Sequence, residues 1–96
     1  MTYVSVQGMM PTIPYAGHAF VRAHERSARN RPDLTGRVGC GCFHCRQVYA
    51  AEEIADWADD GQTAICPRCG VDAVLSARTD PLMADFLARM HARWFG

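Results

Sequence analysis

The clearest pattern of apolar and polar positions lies near the C-terminus. Six apolar side chains recur there within one arc of about 140° at 100° per residue: Leu82, Met83, Phe86, Leu87, Met90 and Trp94. Asp80 is a favourable N-cap and Pro81 a favourable first helical residue. The pattern therefore predicts a helix that begins at Pro81 and buries Phe86, Leu87, Met90 and Trp94.

The N-terminal part of the chain divides into an arm and a helix. Prolines at 11 and 14 disfavour regular structure over residues 1–17, which we interpret as an N-terminal arm. Residues 18–30 place Phe20, Val21 and His24 on one face and arginines on the other, which is typical of an amphipathic helix. We expect His24 to face the core, and Pro32 to end this helix.

Residues 51–59 predict a helix of two to three turns. Two glutamates near its start favour the positive N-terminal end of a helix. Ile54 and Trp57 are one turn apart and share a face. Gly61 is suited to the left-handed position that follows a helix.

Short segments between these helices favour strands. They are residues 47–49, 63–65 and 71–75, which hold mostly β-branched, aromatic or small apolar side chains. A further strand is expected to begin at residues 37–38 and lead into the first cysteines. Together with the helices they predict an α+β domain over residues 18–96. In that domain short antiparallel strands form a zinc ribbon with one inserted helix, flanked by the N- and C-terminal helices.

Four of the five cysteines form two CxxC pairs. Cys42 and Cys45 make the first pair, and Cys66 and Cys69 make the second. This spacing is typical of a four-cysteine zinc site, because each two-residue turn aims two sulfurs at one point. Iron is the main alternative, since a tetrahedron of four sulfurs suits it too.

Three residues near the pairs affect this interpretation. Gly70 follows the second pair and tolerates positive φ, whereas the first pair has Arg46 at that position. Cys40 is left over, as a small buried thiol, a redox-sensitive residue or a replacement ligand for Cys42. We expect His44, inside the first turn, to face solvent.

Net charge is zero, but it is unevenly distributed along the chain. Six arginines against two acids between residues 16 and 46 make the front half basic, and residues 47–85 are acidic. No basic segment precedes an apolar run at the start, and no stretch approaches a membrane span of roughly 20 apolar residues. We expect a cytoplasmic protein, where thiols stay reduced and disulfides are disfavoured.

The stretch from His18 to Phe95 resembles a family of short bacterial cytoplasmic proteins with a four-cysteine zinc-ribbon core. The resemblance is carried by these segments: residues 40–45 (CGCFHC), Glu53, Ile54, Trp57, residues 60–70 (DGQTAICPRCG), Asp72, Val74, Met90, His91, Trp94 and Phe95. This chain departs from the family at Ala73, where serine is usual, and at His44, where many members have an aromatic residue. The resemblance implies a metal, a compartment and a fold, but no reaction.

We expect a zinc-binding protein whose structural Zn(Cys)4 site supports a protein-interaction, adaptor or regulatory role. Phe95 lies off the apolar arc of the last helix and suits a contact with a protein partner. The alternative is a nucleic-acid-binding zinc ribbon, for which arginines 22, 26, 29, 31 and 37 are the candidates. An enzyme is less favoured, because four cysteines leave no open metal position. A zinc-linked redox switch, with Cys40 as its candidate residue, is also less favoured. Oligomeric state and partner identity stay open.

Overall fold

The structure is a computed structural model that describes residues 17–96, so the predicted arm lies outside it except for Gly17. The α+β class is confirmed, with a helix at the C-terminus. The helices and strands are α1 (Gly17–Arg26), β1 (Gly39–Cys42), β2 (Val48–Ala50), β3 (Trp57–Ala58), β4 (Thr63–Ala64), β5 (Val74–Ser76) and α2 (Ala84–Phe95). Neither helix in this part of the chain has the length and apolar run that a membrane crossing needs.

Strands β2, β1 and β5 form an antiparallel sheet in that order. Cys40 in the centre of β1 lies opposite Tyr49 of β2, and all three residues of β5 are buried. Gly41 faces the other side, where Leu82 and Leu87 come within 3.4 Å of the position that a Cβ would take. The missing side chain lets the C-terminal segment pack closely on this face of the sheet. Strand β5 begins at Val74, and not at Val71 as the sequence predicts.

The predicted helix over residues 51–59 is wrong beyond its first turn. Only Ala51–Glu53 is helical, as a single 3₁₀ turn, and Trp57 then pairs with Ala64 in a β3–β4 hairpin. The backbone N–H of Ala64 donates to the side chain of Asn30 at 3.1 Å, which ties the hairpin to the segment after α1. Tertiary contacts of this kind override a weak local helix preference.

Asn30 also explains why α1 is shorter than predicted. Its side chain is buried, and its amide donates to the Val74 carbonyl at 2.8 Å while its oxygen receives the hairpin N–H. Arg29 before it adopts a positive φ of 52°, which no helix can continue. The chain therefore leaves α1 at Arg26, well before Pro32.

The C-terminal helix begins at Ala84 and not at Pro81, so the prediction of Asp80 as its N-cap is wrong. Asp80 is buried and instead accepts a hydrogen bond from Arg26 Nε at 3.1 Å, which joins the segment before α2 to α1. Charge-assisted hydrogen bonds from a guanidinium stabilise this buried carboxylate more than capping a helix would. Met83 precedes the helix and makes no side-chain cap.

The predicted core of the C-terminal helix is confirmed for three residues. Phe86, Leu87 and Met90 are each at most 1% exposed, but Trp94 is 36% exposed, so its predicted burial is wrong. His24 is not core-facing either, because its exposed ring stacks on Trp94 with 4.0 Å between centroids. The two side chains cover each other at the surface between α1 and α2.

Candidate metal centre

The four cysteines of the two CxxC pairs converge on one point. Their Sγ atoms all lie within 4.8 Å of one another, with 3.6 Å between Cys42 and Cys69 and 3.8 Å between Cys45 and Cys66. Four sulfurs at 2.3 Å from a central ion in a regular tetrahedron are about 3.8 Å apart. A disulfide brings its sulfurs to about 2.05 Å, and all of these cysteines are free thiols. The cluster could therefore hold a metal ion.

The first cysteine turn leaves β1 at Cys42. The N–H of Cys42 donates to the Gln47 carbonyl at 3.0 Å, and the N–H of Arg46 donates back to the Cys42 carbonyl at 2.7 Å. The N–H of His44 points at the Cys42 sulfur at 3.3 Å. The backbone thus closes the turn and also donates a hydrogen bond to the Cys42 sulfur, as backbone N–H groups commonly do at metal-binding thiolates.

The second turn repeats this pattern from another part of the chain. The N–H of Cys66 donates to the Val71 carbonyl at 3.0 Å, and the N–H of Gly70 donates to the Cys66 carbonyl at 2.9 Å. The N–H of Arg68 reaches the Cys66 sulfur at 3.4 Å. Since β1 carries the first turn and the hairpin carries the second, the fold presents two equivalent turns face to face.

Tyr49 contacts the cysteine cluster, and sequence reasoning missed it. Its hydroxyl donates to the Cys66 sulfur at 3.0 Å from a buried position on β2. Burial raises the pKa of Cys66, but hydrogen bonds from Tyr49 and from backbone N–H groups outweigh it and bring that pKa down to about 7. No local signal identifies this contact, because it depends on how β2 is placed against the hairpin.

Cys42 and Cys69 also accept hydrogen bonds from backbone N–H groups, but burial outweighs them there. Burial is the main cause that raises the pKa of Cys42 and of Cys69. Thiols of this kind stay protonated unless a cation lies among them, and a bound metal deprotonates a coordinating thiol outright. The donor set and its spacing fit a thiolate-bound metal, although the metal's identity is a separate question.

Cys40 lies outside the cluster. It is 0% exposed in the centre of β1, and burial raises its pKa to about 12. A protonated, inaccessible thiol is a poor nucleophile and a poor redox sensor.

His44 is half-buried and does not simply face solvent, so that prediction is wrong. Its ring meets the ring of Phe95 edge-on at 4.6 Å, and within residues 17–96 its Nδ1 is buried without a hydrogen-bond partner. His91 lies next to it, with Nδ1 donating to the Phe43 carbonyl at 3.2 Å. The end of α2 thus packs on the first cysteine turn through aromatic rings.

Comparisons of the chain with protein-family models, with curated proteins and with solved structures found no match. The resemblance to short bacterial zinc-ribbon proteins therefore stays a prediction. The geometry of the cysteine cluster is the observation on which a function can be proposed.

Proposed function

We propose that this chain is a small zinc-binding protein in which Cys42, Cys45, Cys66 and Cys69 hold a structural Zn(Cys)4 site. The observation that carries the proposal is the mutual distance of the four Sγ atoms, all within 4.8 Å. Four thiolates leave no position for substrate, so the metal would act in folding and not in catalysis. We favour zinc because tetrahedral four-cysteine coordination is typical of structural zinc sites, and iron is the alternative outcome of the test.

A structural metal also suits the size of the core. Structural zinc contributes about 10–16 kcal/mol of apparent binding free energy, comparable with or above the whole stability of a typical domain. The two turns come from segments 24 residues apart, and the elements between them are short. A metal that joins the turns would hold the sheet and the hairpin together.

Native mass spectrometry of the protein, produced in cells supplied with zinc and iron, tests the proposal. We expect a mass increase of one zinc ion per chain and no visible charge-transfer absorption. A coloured, iron-loaded protein would show that the site holds iron instead of zinc. A folded protein without metal would refute the site. Cys40→Ala is the matched control and should keep one metal per chain.

We also propose that the metal-supported domain acts in the cytoplasm as a protein-interaction or regulatory module. Trp94 and Phe95 support this, because they are 36% and 44% exposed and follow one another at the end of α2. Exposed aromatic side chains of this kind are enriched in protein interfaces. Pull-down from native lysate, with and without nuclease, should recover a protein partner that the Phe95→Ser variant loses and that Met83→Ser, another exposed apolar site, keeps.

The nucleic-acid alternative is less favoured by the contacts of its candidate arginines. Arg26 pairs with buried Asp80, and Arg31 lies over the Trp57 ring at 4.4 Å while it donates to the Gly61 carbonyl. These two side chains are engaged in contacts within the fold, whereas Arg22, Arg29 and Arg37 are exposed. Salt-sensitive retention on heparin or loss of the partner on nuclease treatment would reverse this preference.

A further inference from the structure

Strand β2 forms an edge of the three-stranded sheet, and no strand within residues 17–96 pairs with its outer side. The N–H of Ala51 and the C=O of Gln47 bond to the β1 side, at 2.9 and 3.0 Å. Backbone groups alternate in direction along an antiparallel strand. The C=O of Val48 and the N–H of Ala50 therefore point away from β1, toward the open edge.

The same edge is apolar. Val48 is 51% exposed and Ala50 is exposed beside it, on the face of the sheet where β1 has only glycine opposite them. Both residues line a shallow groove together with Val38. An exposed apolar edge strand is a ready template for pairing with another strand.

Opposite charges lie at the two ends of this strand. Arg46 precedes β2, Glu52 follows it, and both are exposed. Among the described residues neither takes part in an ion pair, since the recorded pairs use Arg26, Arg68 and Arg89. The strand is therefore positive at its start and negative at its end, which is the charge order that matches an antiparallel copy of itself.

We propose that β2 is a self-association edge, at which two copies of this chain pair β2 against β2 in antiparallel orientation. With Val48 of one copy opposite Ala50 of the other, the free N–H of each Ala50 meets the free C=O of each Val48. In that register the start of β2 in one copy, which Arg46 precedes, lies beside the end of β2 in the other copy, which Glu52 follows. A two-fold axis makes every contact occur twice, as in other isologous dimers.

The pairing would bury little surface, because β2 has three residues. Interfaces of this size are weak and dissociate readily on dilution. The zinc-loaded full chain should therefore show a concentration-dependent monomer–dimer equilibrium in sedimentation experiments from micromolar to millimolar concentration.

Ala50→Pro blocks the edge with little effect on the monomer. Ala50 has φ −77° and ψ 141°, which proline adopts, and its N–H is not part of the β1 ladder. We expect zinc content and circular dichroism to stay unchanged while the dimer weakens at least about tenfold, since the variant removes the two hydrogen bonds that the Ala50 N–H groups donate. A dimer of unchanged affinity would place the interface elsewhere and overturn the proposal.

A charge exchange gives the second test. Arg46→Glu and Glu52→Arg alone should each weaken the dimer by about tenfold through like-charge contacts, and the double variant should recover to within about threefold. Asp56→Arg makes the same charge change at an exposed acid outside β2 and should leave the affinity unaltered. A monomer at every concentration, or no recovery in the double variant, would refute self-pairing. An Ala50 amide protected from exchange in the monomer would show that a segment of the same chain covers the edge.

Discussion

Arg46 and Gly70 hold the same place in the two cysteine turns, and both have left-handed backbone, with φ of 63° and 80°. Each follows the second cysteine of its turn and donates its N–H to the carbonyl of the first, at 2.7 and 2.9 Å. Glycine adopts this conformation freely, whereas a residue with a Cβ is destabilised by about 1–2 kcal/mol. The first turn therefore carries strain that the second avoids.

This relationship predicts opposite effects for two substitutions. Arg46→Gly should raise the free energy of unfolding of the zinc-loaded protein by up to about 1 kcal/mol, and Gly70→Ala should lower it by about 1 kcal/mol. A Cβ on Gly70 would meet no atom within 4 Å, so only the backbone conformation is tested there. Guanidinium unfolding at low protein concentration measures both, and a neutral Gly70→Ala variant would contradict the account of strain.

Chelation should unfold the region between the two cysteine turns. The sheet has strands of three or four residues and the hairpin strands have two, so the metal would supply much of the cohesion between them. Removing zinc with a strong chelator should abolish the dispersed amide signals of β1, β2 and the hairpin in NMR spectra.

Cysteine variants give the matched comparison. Cys42→Ser and Cys66→Ser should behave like the chelated protein, and Cys40→Ala should keep its metal and its signals, because Cys40 lies outside the cluster. A folded, soluble Cys42→Ser/Cys66→Ser protein would rule out a structural metal.

The hydroxyl of Tyr49 should make the metal site more resistant to acid. It donates to the Cys66 sulfur at 3.0 Å and contributes to the lowered pKa of about 7. A lowered pKa stabilises the folded thiolate fully above about pH 9, its ordinary value, and this stabilisation is lost as pH falls to about 7. Tyr49→Phe removes the donor and raises the pKa of Cys66, so protons compete with the metal at higher pH.

Competition with a colorimetric chelator over a pH series measures this effect. We expect Tyr49→Phe to lose about tenfold in zinc affinity, with the midpoint of acid release moved to higher pH. Val48→Ala, on the same strand with its side chain on the opposite face, is the control and should follow the wild-type curve. Equal acid release from Tyr49→Phe and wild type would mean that the hydrogen bond does not influence the metal.

Each cysteine turn could be predicted because it depends on local spacing, and the convergence of the two turns could be predicted because two such pairs are typical of one four-cysteine metal site. Two residues between cysteines suffice to build each turn, and strands near residues 47–49 and 63–65 follow from their composition. The contacts of Tyr49 and Asn30 could not be predicted in this way, because both join segments that are distant in sequence. The role of Asp80 could not be predicted for the same reason. Its local sequence favours a helix cap, but in the fold it pairs with Arg26 of α1.

The turn at residues 59–61 explains why the predicted helix over residues 51–59 does not form. Asp59, Asp60 and Gly61 all have positive φ, of 53°, 58° and 85°. From the sequence alone, Gly61 is suited to the end of a helix. In the structure the three successive left-handed residues form the loop of the β3–β4 hairpin. Two aspartates in this conformation are tolerated better than most side chains, although each still carries strain relative to glycine.

These two aspartates should respond differently to the same substitution. Asp60→Gly should stabilise the protein by up to about 1 kcal/mol, because it relieves backbone strain and the side chain is exposed.

Asp59→Gly relieves similar strain but removes the carboxylate that accepts the Thr63 hydroxyl at 2.7 Å. Thr63 is 1% exposed, and its oxygen also accepts the Arg29 N–H at 2.8 Å, so the loss affects the link to the segment after α1. We expect Asp59→Gly to be neutral or to cost about 1 kcal/mol in thermal or guanidinium unfolding. Asp59→Asn, which keeps an acceptor, should recover most of that cost. If both glycine variants were equally stabilising, the hydrogen bond to Thr63 would contribute nothing to the stability of the hairpin.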